Sequence, residues 1–355
     1  DNIDFQIPDY RQDVYREIDL IEEVGKLFGY NNLNTTLPKL GIKDRRPNHQ
    51  FEFNSLLREV LVGLGLTEVI NISIFTEDNL KYYSNTENLI TIRNPVGQFL
   101  NKLRPTLLTG LVRNLNRNLN RGRDSIKIFE IGSIFNKSDD SDLESESLSI
   151  LLSGDFNEVH WREKKREVNF FDLKGIVELL GKRFNIKNFR LEPLGHEVDY
   201  IEGRAGFEIL SGEKLLGYGG LANRKCLDSE DIDNNVYLCE LDLDLFRKQS
   251  KGSGRFKDYS KFPGVRRDLS LIFSKEVKIG EVLDSIAGTS KNLIKNVDVF
   301  DVYTGDKIPE NTVSYAISIE IQSMEKTLTD ADIEKLMKRL LDTLENRYGA
   351  KLREQ

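Results

Sequence analysis

Four carboxylates crowd one short stretch near the start of this 355-residue chain. Asp19, Glu22 and Glu23 stand at i, i+3 and i+4, so a single helix places them on one face. Asp13 lies just upstream and can fold back toward them. Like charges at this range repel unless something offsets them. A hard divalent cation with oxygen ligands would do so, and Mg2+ suits two or three carboxylates plus waters. The same residues also read as an acidic first turn that complements the helix dipole, with its charges solvated. Spacing alone leaves both readings open.

A second set stands near the other end, in Tyr259-Ser-Lys-Phe-Pro-Gly-Val-Arg-Arg-Asp268. Lys261, Arg266 and Arg267 can reach phosphate, while Tyr259 or Phe262 can stack on a base. Arg266 and Arg267 can equally pair with an acidic neighbour such as Asp268. A third group, Arg113, Arg117, Arg121 and Arg123, gives a basic side to one helix, which suits either phosphate contact or plain solvation. No catalytic set emerges. His49, His160 and His196 are scattered, without Cys or acidic partners at ligand spacing. Ser253 sits in Gln249-Ser-Lys-Gly-Ser-Gly-Arg255, which has linker composition and no strand-to-helix context for a phosphate loop. Trp161, beside His160 and Arg162, reads as a packing or interface anchor.

Elements must position these groups. Arg16 to Tyr30 reads as a helix whose Leu20, Val24 and Leu27 face a core, with Gly29 as its C-terminal cap. Ile3, Phe5 and Ile7 alternate like the tail of a strand pair, so the chain is expected to begin inside a domain of a longer protein. After Pro38 and a polar linker, Phe51 to Leu64 is helical, with Leu56, Leu57, Val60 and Leu64 inward. Val69 to Phe75 reads as a strand. Thr106 is placed to cap a helix whose Leu108, Leu111, Leu115 and Leu119 form an apolar stripe. Ile126 to Phe135 and Leu148 to Leu152 are strands, joined through an acidic hairpin tip over 138–147. The last hundred residues read as strand, helix, strand, strand, helix and short strand. Val313, Tyr315, Ile317, Ile319 and Ile321 alternate strictly. Thr329 caps the terminal helix and Gly349 stops it. That order is a split βαβ, ferredoxin-like unit.

Composition narrows the function classes. The length calls for two or three domains. No apolar run approaches the roughly 20 residues needed to span a bilayer, and the first residues lack the basic start and apolar stretch of a signal peptide. Cys226 and Cys239 are the only cysteines, far from zinc-ligand spacing, and are expected to be reduced. With 51 Lys+Arg against 58 Asp+Glu the net charge is -7, so RNA contact must be local or shared with a more basic partner.

The wording of several segments resembles the β subunit of bacterial-type phenylalanyl-tRNA synthetase. Tyr259 to Asp268, Phe300-Asp-Val-Tyr303 and Gln322-Ser-Met-Glu-Lys-Thr-Leu-Thr-Asp330 are similar to its ferredoxin-fold anticodon-binding domain. Asn94-Pro-Val, Leu103-Arg-Pro-Thr-Leu-Leu-Thr-Gly-Leu111, Phe129-Glu-Ile-Gly132, Phe170 to Leu180, Gly203-Arg-Ala205 and Gly217-Tyr-Gly-Gly-Leu221 are similar to its class II aminoacyl-tRNA synthetase core. Tyr10-Arg-Gln-Asp13, Asp19-Leu-Ile-Glu-Glu23 and Phe28-Gly-Tyr-Asn-Asn32 resemble the end of the module before that core. The resemblance implies an α+β chain: the end of a Mg-binding module (1–37), a non-catalytic class II-like antiparallel core (50–248) and an anticodon-binding domain (256–355). It implies a Mg2+ shared with an α subunit at Asp13, Asp19, Glu22 and Glu23, an α2β2 tetramer, and tRNA(Phe) as partner. ATP is then a substrate of the holoenzyme, in a bacterial cytoplasm or an organelle of bacterial descent. Class II catalysis needs arginines from two motifs to hold ATP, and Leu221-Ala-Asn-Arg-Lys-Cys226 around Arg224 is not such a signature. The core is therefore expected to keep the fold without the chemistry. Nothing in the chain matches the family's N-terminal tRNA-binding or editing domains, so hydrolysis of mischarged tyrosyl-tRNA is not expected of it. Readings from other classes are an RNA-binding relative without an α partner and a metal-dependent hydrolase built on the four carboxylates.

Overall fold

The computed structural model describes every residue except 1–2, 38–48, 81, 96, 98–99, 138–141, 158–159, 163, 253–257, 306 and 354–355. The linker after Pro38, the tip of the acidic hairpin and Ser253 thus lie outside the described residues. Two compact units divide the chain at Gly252/Ser253.

The first unit opens with helix α1 (Glu17–Phe28), then α2 (His49–Gly63) and short strands β1 (Thr67–Glu68), β2 (Ile74–Phe75) and β3 (Lys102–Leu103). Helix α3 (Leu108–Leu119) leads to β4 (Ile126–Lys137), β5 (Asp142–Ser153), α4 (Phe170–Arg183), β6 (Phe189–Pro193), β7 (Ile201–Ser211) and β8 (Lys214–Ala222). A short helix α5 (Arg224–Asp228), β9 (Val236–Asp242) and α6 (Leu243–Gln249) complete it. Seven strands form one sheet in the order β1-β4-β5-β9-β8-β7-β6, antiparallel except where β1 meets β4.

Alternation along the central strands sends neighbours to opposite faces. Phe129, Ile150, Cys239, Leu241 and Ile209 pack with residues of α2, α4 and α6 into one core. Ile128, Leu151 and Leu238 pack with Leu108, Leu111 and Leu115 of α3 on the other face. Both cysteines are free and buried.

Several expectations need correction here. Residues 69–75 do not make one strand: β1 and β2 join different sheets, and Ile70 and Ile72 between them are exposed. Leu61, not Leu64, completes the buried side of α2, because Leu64 lies past the helix end. Strand β5 starts at Asp142, so most of the acidic stretch is strand paired with β4, not loop. Helix α1 forms as read and Gly29 follows with φ 87°, but none of its residues is buried. Its apolar stripe is real; the described residues beside it, Ile3, Phe5 and Ile7, form no strand and leave Val24 and Leu27 exposed.

The second unit runs β10 (Val265–Ser274), α7 (Ile279–Thr289), β11 (Ile294–Tyr303), β12 (Thr312–Ile321), α8 (Asp330–Tyr348) and β13 (Lys351–Leu352). Its antiparallel sheet has the order β11-β12-β10-β13. Leu271, Phe273, Ile317, Ile319 and Ile321 bury against Val282, Ile286, Leu340 and Leu344 of the two helices. The Thr329 hydroxyl accepts from the Asp332 N–H at 3.2 Å, and Gly349 takes the left-handed φ of 63° that ends α8.

Candidate functional site: an acidic helix start and an open sheet face

The four N-terminal carboxylates do not converge. Asp19 caps its own helix, accepting from the N–H groups of Arg16 at 2.9 Å and Tyr15 at 3.2 Å. Those bonds hold its pKa below the usual carboxylate value. Asp13 accepts both arms of Arg11, at 3.0 and 2.8 Å, which lowers its pKa to about 2. Glu23 is also bonded by Arg11, at 2.7 Å, and Lys26 reaches Glu22 at 2.8 Å and Glu23 at 3.2 Å. Among the described residues no three acidic, histidine or cysteine side chains come together as metal ligands. Three cations of the chain itself, Arg11, Arg16 and Lys26, offset the charge in this arrangement, and it does not fit a metal as it stands.

In the second unit the sheet covers its helices with one face and leaves the other open. Arg266 and Arg267 are consecutive on β10, so they go to opposite faces. Only Arg266 belongs to the open one. It pairs with Asp268 at 3.1 Å and lies 5.8 Å above the Phe300 ring. Phe300 is more than half exposed, at a register shift between β11 and β12. Arg353 stands 4.4 Å above the Tyr303 ring. These ring–guanidinium pairs make stacking surfaces of the kind that take unpaired bases. Phe300, Tyr303 and Arg353 were not among the residues singled out for binding. The alternation of β11 was the available signal, and the bulge obscures it. Tyr259 and Lys261 are exposed, and the loop carrying them is pinned: Ser260 donates to the Ser323 carbonyl at 2.6 Å, and Gln322 to the Phe262 carbonyl at 2.8 Å. Asp298, Asp301 and Glu320 keep this unit from being a basic patch.

The large sheet carries a row of polar residues in register: Glu130, Ser149, Glu240, Tyr218 and Glu208. Arg104 reaches into it, donating to Glu130 at 2.7 Å, with both side chains almost wholly buried. Glu240 accepts from the Thr106 and Ser149 hydroxyls and from the Leu107 N–H. Desolvation at its carboxyl raises its pKa, although these bonds pull the other way. Thr106 thus serves Glu240 as well as the Leu108 N–H, and its hydroxyl sits one turn-position before the helix that it was expected to cap. Arg224 is bound up with Asp228, Asp233 and the Ile232 and Asp233 carbonyls. Of the histidines, His196 meets Glu208 at 3.3 Å, His49 stands 3.9 Å from Glu52, and His160 lies beside Trp161. Trp161 itself is exposed, so it anchors no core. Of the basic residues expected on one helix, Arg113 bonds Asn79 at 3.1 Å and Arg117 is exposed on α3, while Arg121 and Arg123, also exposed, lie past the helix end at Leu119.

Three family models match the chain in order: a tRNA synthetase B5 domain at residues 1–30, the phenylalanyl tRNA synthetase beta chain CLM domain at 33–243, and a ferredoxin-fold anticodon binding domain at 260–353. Among curated relatives, the phenylalanine–tRNA ligase beta subunit of Fusobacterium nucleatum is 32% identical over 98% of this chain and 44% of its own length. Those of Geobacter metallireducens (31%; 99% and 44%) and Bacteroides thetaiotaomicron (33%; 99% and 45%) align similarly. A solved pyrrolysyl tRNA synthetase from Desulfitobacterium hafniense aligns at a TM-score of 0.46 and 20% identity, covering 61% of this chain and 74% of its own. The chain spans less than half the length of the curated relatives it matches. With one model covering more than half of its residues, the chain belongs to the phenylalanyl-tRNA synthetase β-chain family.

Proposed function

We propose that this chain is the β-subunit portion of a phenylalanine–tRNA ligase, supporting ATP-dependent attachment of phenylalanine to tRNA(Phe) by a separate α subunit. Its division would be a Mg-binding module end (1–37), a non-catalytic class II-like core (50–248) and an anticodon-binding domain (256–355). The reading assigns it scaffold, anticodon contact and, with the α subunit, a shared Mg2+ at Asp13, Asp19, Glu22 and Glu23, within an α2β2 assembly in a bacterial cytoplasm or an organelle of bacterial descent. Among the described residues no helix is long and apolar enough to cross a membrane.

One observation carries the tRNA contact: the Arg266–Phe300 and Arg353–Tyr303 pairs on the open sheet face. Their rings supply stacking and their guanidiniums phosphate contact, which a chain of net charge -7 must offer locally. Tyr259, Lys261 and Phe262 border the same strand, while Arg267 contributes from the other side. The seven-stranded antiparallel sheet supports the class II-like reading of the core. Its polar row presents Glu130, Glu240 and Glu208, and the Arg104 guanidinium that reaches into it is already held by Glu130. That row suits packing and not polyphosphate. The exposed Ile70, Ile72 and Leu27 suit burial against another subunit.

Co-expression with a matching α subunit tests the assembly. A stoichiometric complex on size-exclusion chromatography with light scattering supports it; a chain that elutes alone refutes it and favours an RNA-binding relative without an α partner. For the RNA face, Phe300→Ala is expected to weaken binding of a tRNA(Phe) transcript about tenfold, from stacking worth about 1–3 kcal/mol per base. Unchanged affinity would remove the open face from the reading. Mg2+-dependent phosphatase and nuclease assays dispose of the hydrolase reading if they show no turnover.

A further inference from the structure

From Asn88 to Arg123 the chain carries seven Lys or Arg and no Asp or Glu, in a protein of net charge -7. Three of the seven are held by partners. Arg104 is buried on Glu130, Arg113 donates to Asn79 at 3.1 Å, and Lys102 donates to the Thr91 hydroxyl at 3.0 Å. Arg117, Arg121 and Arg123 are exposed, and among the described residues their side chains enter no ion pair and no hydrogen bond. Acids are at hand, since Asp124 follows Arg123 and the Glu230 carbonyl accepts from the Asn116 amide. Neither carboxylate pairs with these arginines.

The asparagines between them are spent on the fold. Asn120 donates to Asn116, Asn118 to the Asn114 carbonyl at 2.8 Å, and Asn114 to Asn71 at 2.9 Å. The turn after α3 is closed on itself, with the Arg121 and Arg123 N–H groups both on the Asn118 carbonyl at 3.0 Å and Gly122 at φ +72°. The apolar stripe of the helix, Leu108, Leu111 and Leu115, is buried in the core below. Arg117 and Arg121 therefore stand on a fixed support, one helical step of four residues (about 6 Å) apart, with Arg123 beside them.

We propose that Arg117, Arg121 and Arg123 form a second RNA contact, on the first unit, that takes the phosphodiester backbone of tRNA. The inference rests on the proposed function for the identity of the polyanion, and not on the open sheet face of the second unit. Guanidiniums match phosphate oxygens in paired, charge-assisted bonds, and such contacts need charge without any apolar surface. The exposed positions of α3 and its turn are Arg117, Asn120, Arg121, Gly122 and Arg123, with no apolar side chain among them. A protein interface buries an apolar centre from which charges are depleted, and this row has none to offer. The contact positions the RNA and reads no sequence.

Fluorescence anisotropy of a labelled tRNA(Phe) transcript, titrated with the 355-residue chain between about 50 and 200 mM KCl, tests this. Each phosphate contact adds about 0.9 to the slope of log affinity against log salt, so losing two should shrink the salt-driven loss over that range about tenfold. Arg117→Gln with Arg121→Gln is expected to do so, and to bind more weakly at the lower salt. Arg117→Lys with Arg121→Lys keeps the charge and should keep the slope, which a folding defect would not allow. Lys182→Gln with Arg183→Gln removes two exposed cations from the end of α4 and should leave the slope alone. An equal flattening there would put overall charge at work and overturn the inference. So would an unchanged slope in the Arg117→Gln, Arg121→Gln variant. If that variant stops co-eluting with an α subunit while its tRNA slope holds, the row is a protein contact and the inference likewise falls. Phe300→Ala separates the two RNA surfaces. Weaker binding in Phe300→Ala with no effect of the arginine changes refutes this row and leaves the open face standing; no effect of either removes both.

Discussion

Arg104→Ala should unfold the first unit far more readily than its position near a short strand suggests. Arg104 and Glu130 are buried, with side-chain exposures of 6% and 1%. Glu130 also accepts from the Asn71 N–H at 3.0 Å and its Nδ2 at 2.6 Å, while Arg104 gives Nε to the Ser133 carbonyl at 2.8 Å. Removing the arginine leaves a buried carboxylate with amide donors but no cation, which costs about 3–5 kcal/mol. The converse change, Glu130→Gln, strands the guanidinium and should cost a similar amount. Replacing both, as Arg104→Met with Glu130→Leu, removes both buried charges, so the double variant should be more stable than either single one. Urea unfolding by circular dichroism measures the loss, and hydrogen exchange of peptides from β4 and β5 assigns it to the first unit. A loss under about 1 kcal/mol for Arg104→Ala, or a double variant worse than the sum of the singles, would refute the reasoning.

Three further outcomes are expected. Gly154 has φ +80°, and a Cβ there would run into the Asp124 carbonyl, so Gly154→Ala should cost about 2–4 kcal/mol in urea unfolding. Thr329→Ala removes the cap on α8 and should lower the stability of the second unit by about 1 kcal/mol, read as faster exchange in the first turn of that helix. Glu240, whose folded pKa is raised, binds its proton more tightly folded than unfolded. Its contribution is thus greatest below the unfolded carboxylate value and is lost as pH rises through the folded one. Replacing it by Gln should flatten the fall in urea midpoint over that window, and a slope unchanged from the unaltered chain would contradict the assignment.

The ferredoxin-like unit was largely legible because its signals are local. Strict alternation in β12, a Thr329 cap and a Gly349 stop each follow from a few neighbouring residues. The first unit was less so, since its pairings are long-range. The words Leu103-Arg-Pro and Phe129-Glu-Ile-Gly stood out separately, yet they are two halves of one device. Arg104 bonds Glu130, and Gly132 leaves room for its guanidinium, where a Cβ would collide. Nothing in either word announces the other. The N-terminal carboxylates show the opposite failure. Helical spacing put Asp19, Glu22 and Glu23 together, but a charge three residues from a helix start is drawn to the free N–H groups there. Asp19 goes to the cap, and Arg11 and Lys26 take Asp13, Glu22 and Glu23.

The same competition between a residue's type and its neighbours bears on the proposed loss of chemistry in the large sheet. A site for ATP needs cations that are free to follow charge as it builds on phosphate. Arg104 has the type but is consumed by Glu130, and Arg224 is consumed by Asp228, Asp233 and two carbonyls. Glu240 adds a carboxylate with hydroxyl and amide partners, and Glu208 another beside His196. Freeing Arg104 would not restore a phosphate site, because removing Glu130 leaves its buried guanidinium uncompensated and costs the fold several kcal/mol, of order 3–5. Polar groups that stabilise this sheet are thus the ones that bar polyphosphate from it. The proposed function thus rests on surfaces that the fold does not use for itself: the exposed apolar residues of the first unit and the open, ring-bearing face of the second.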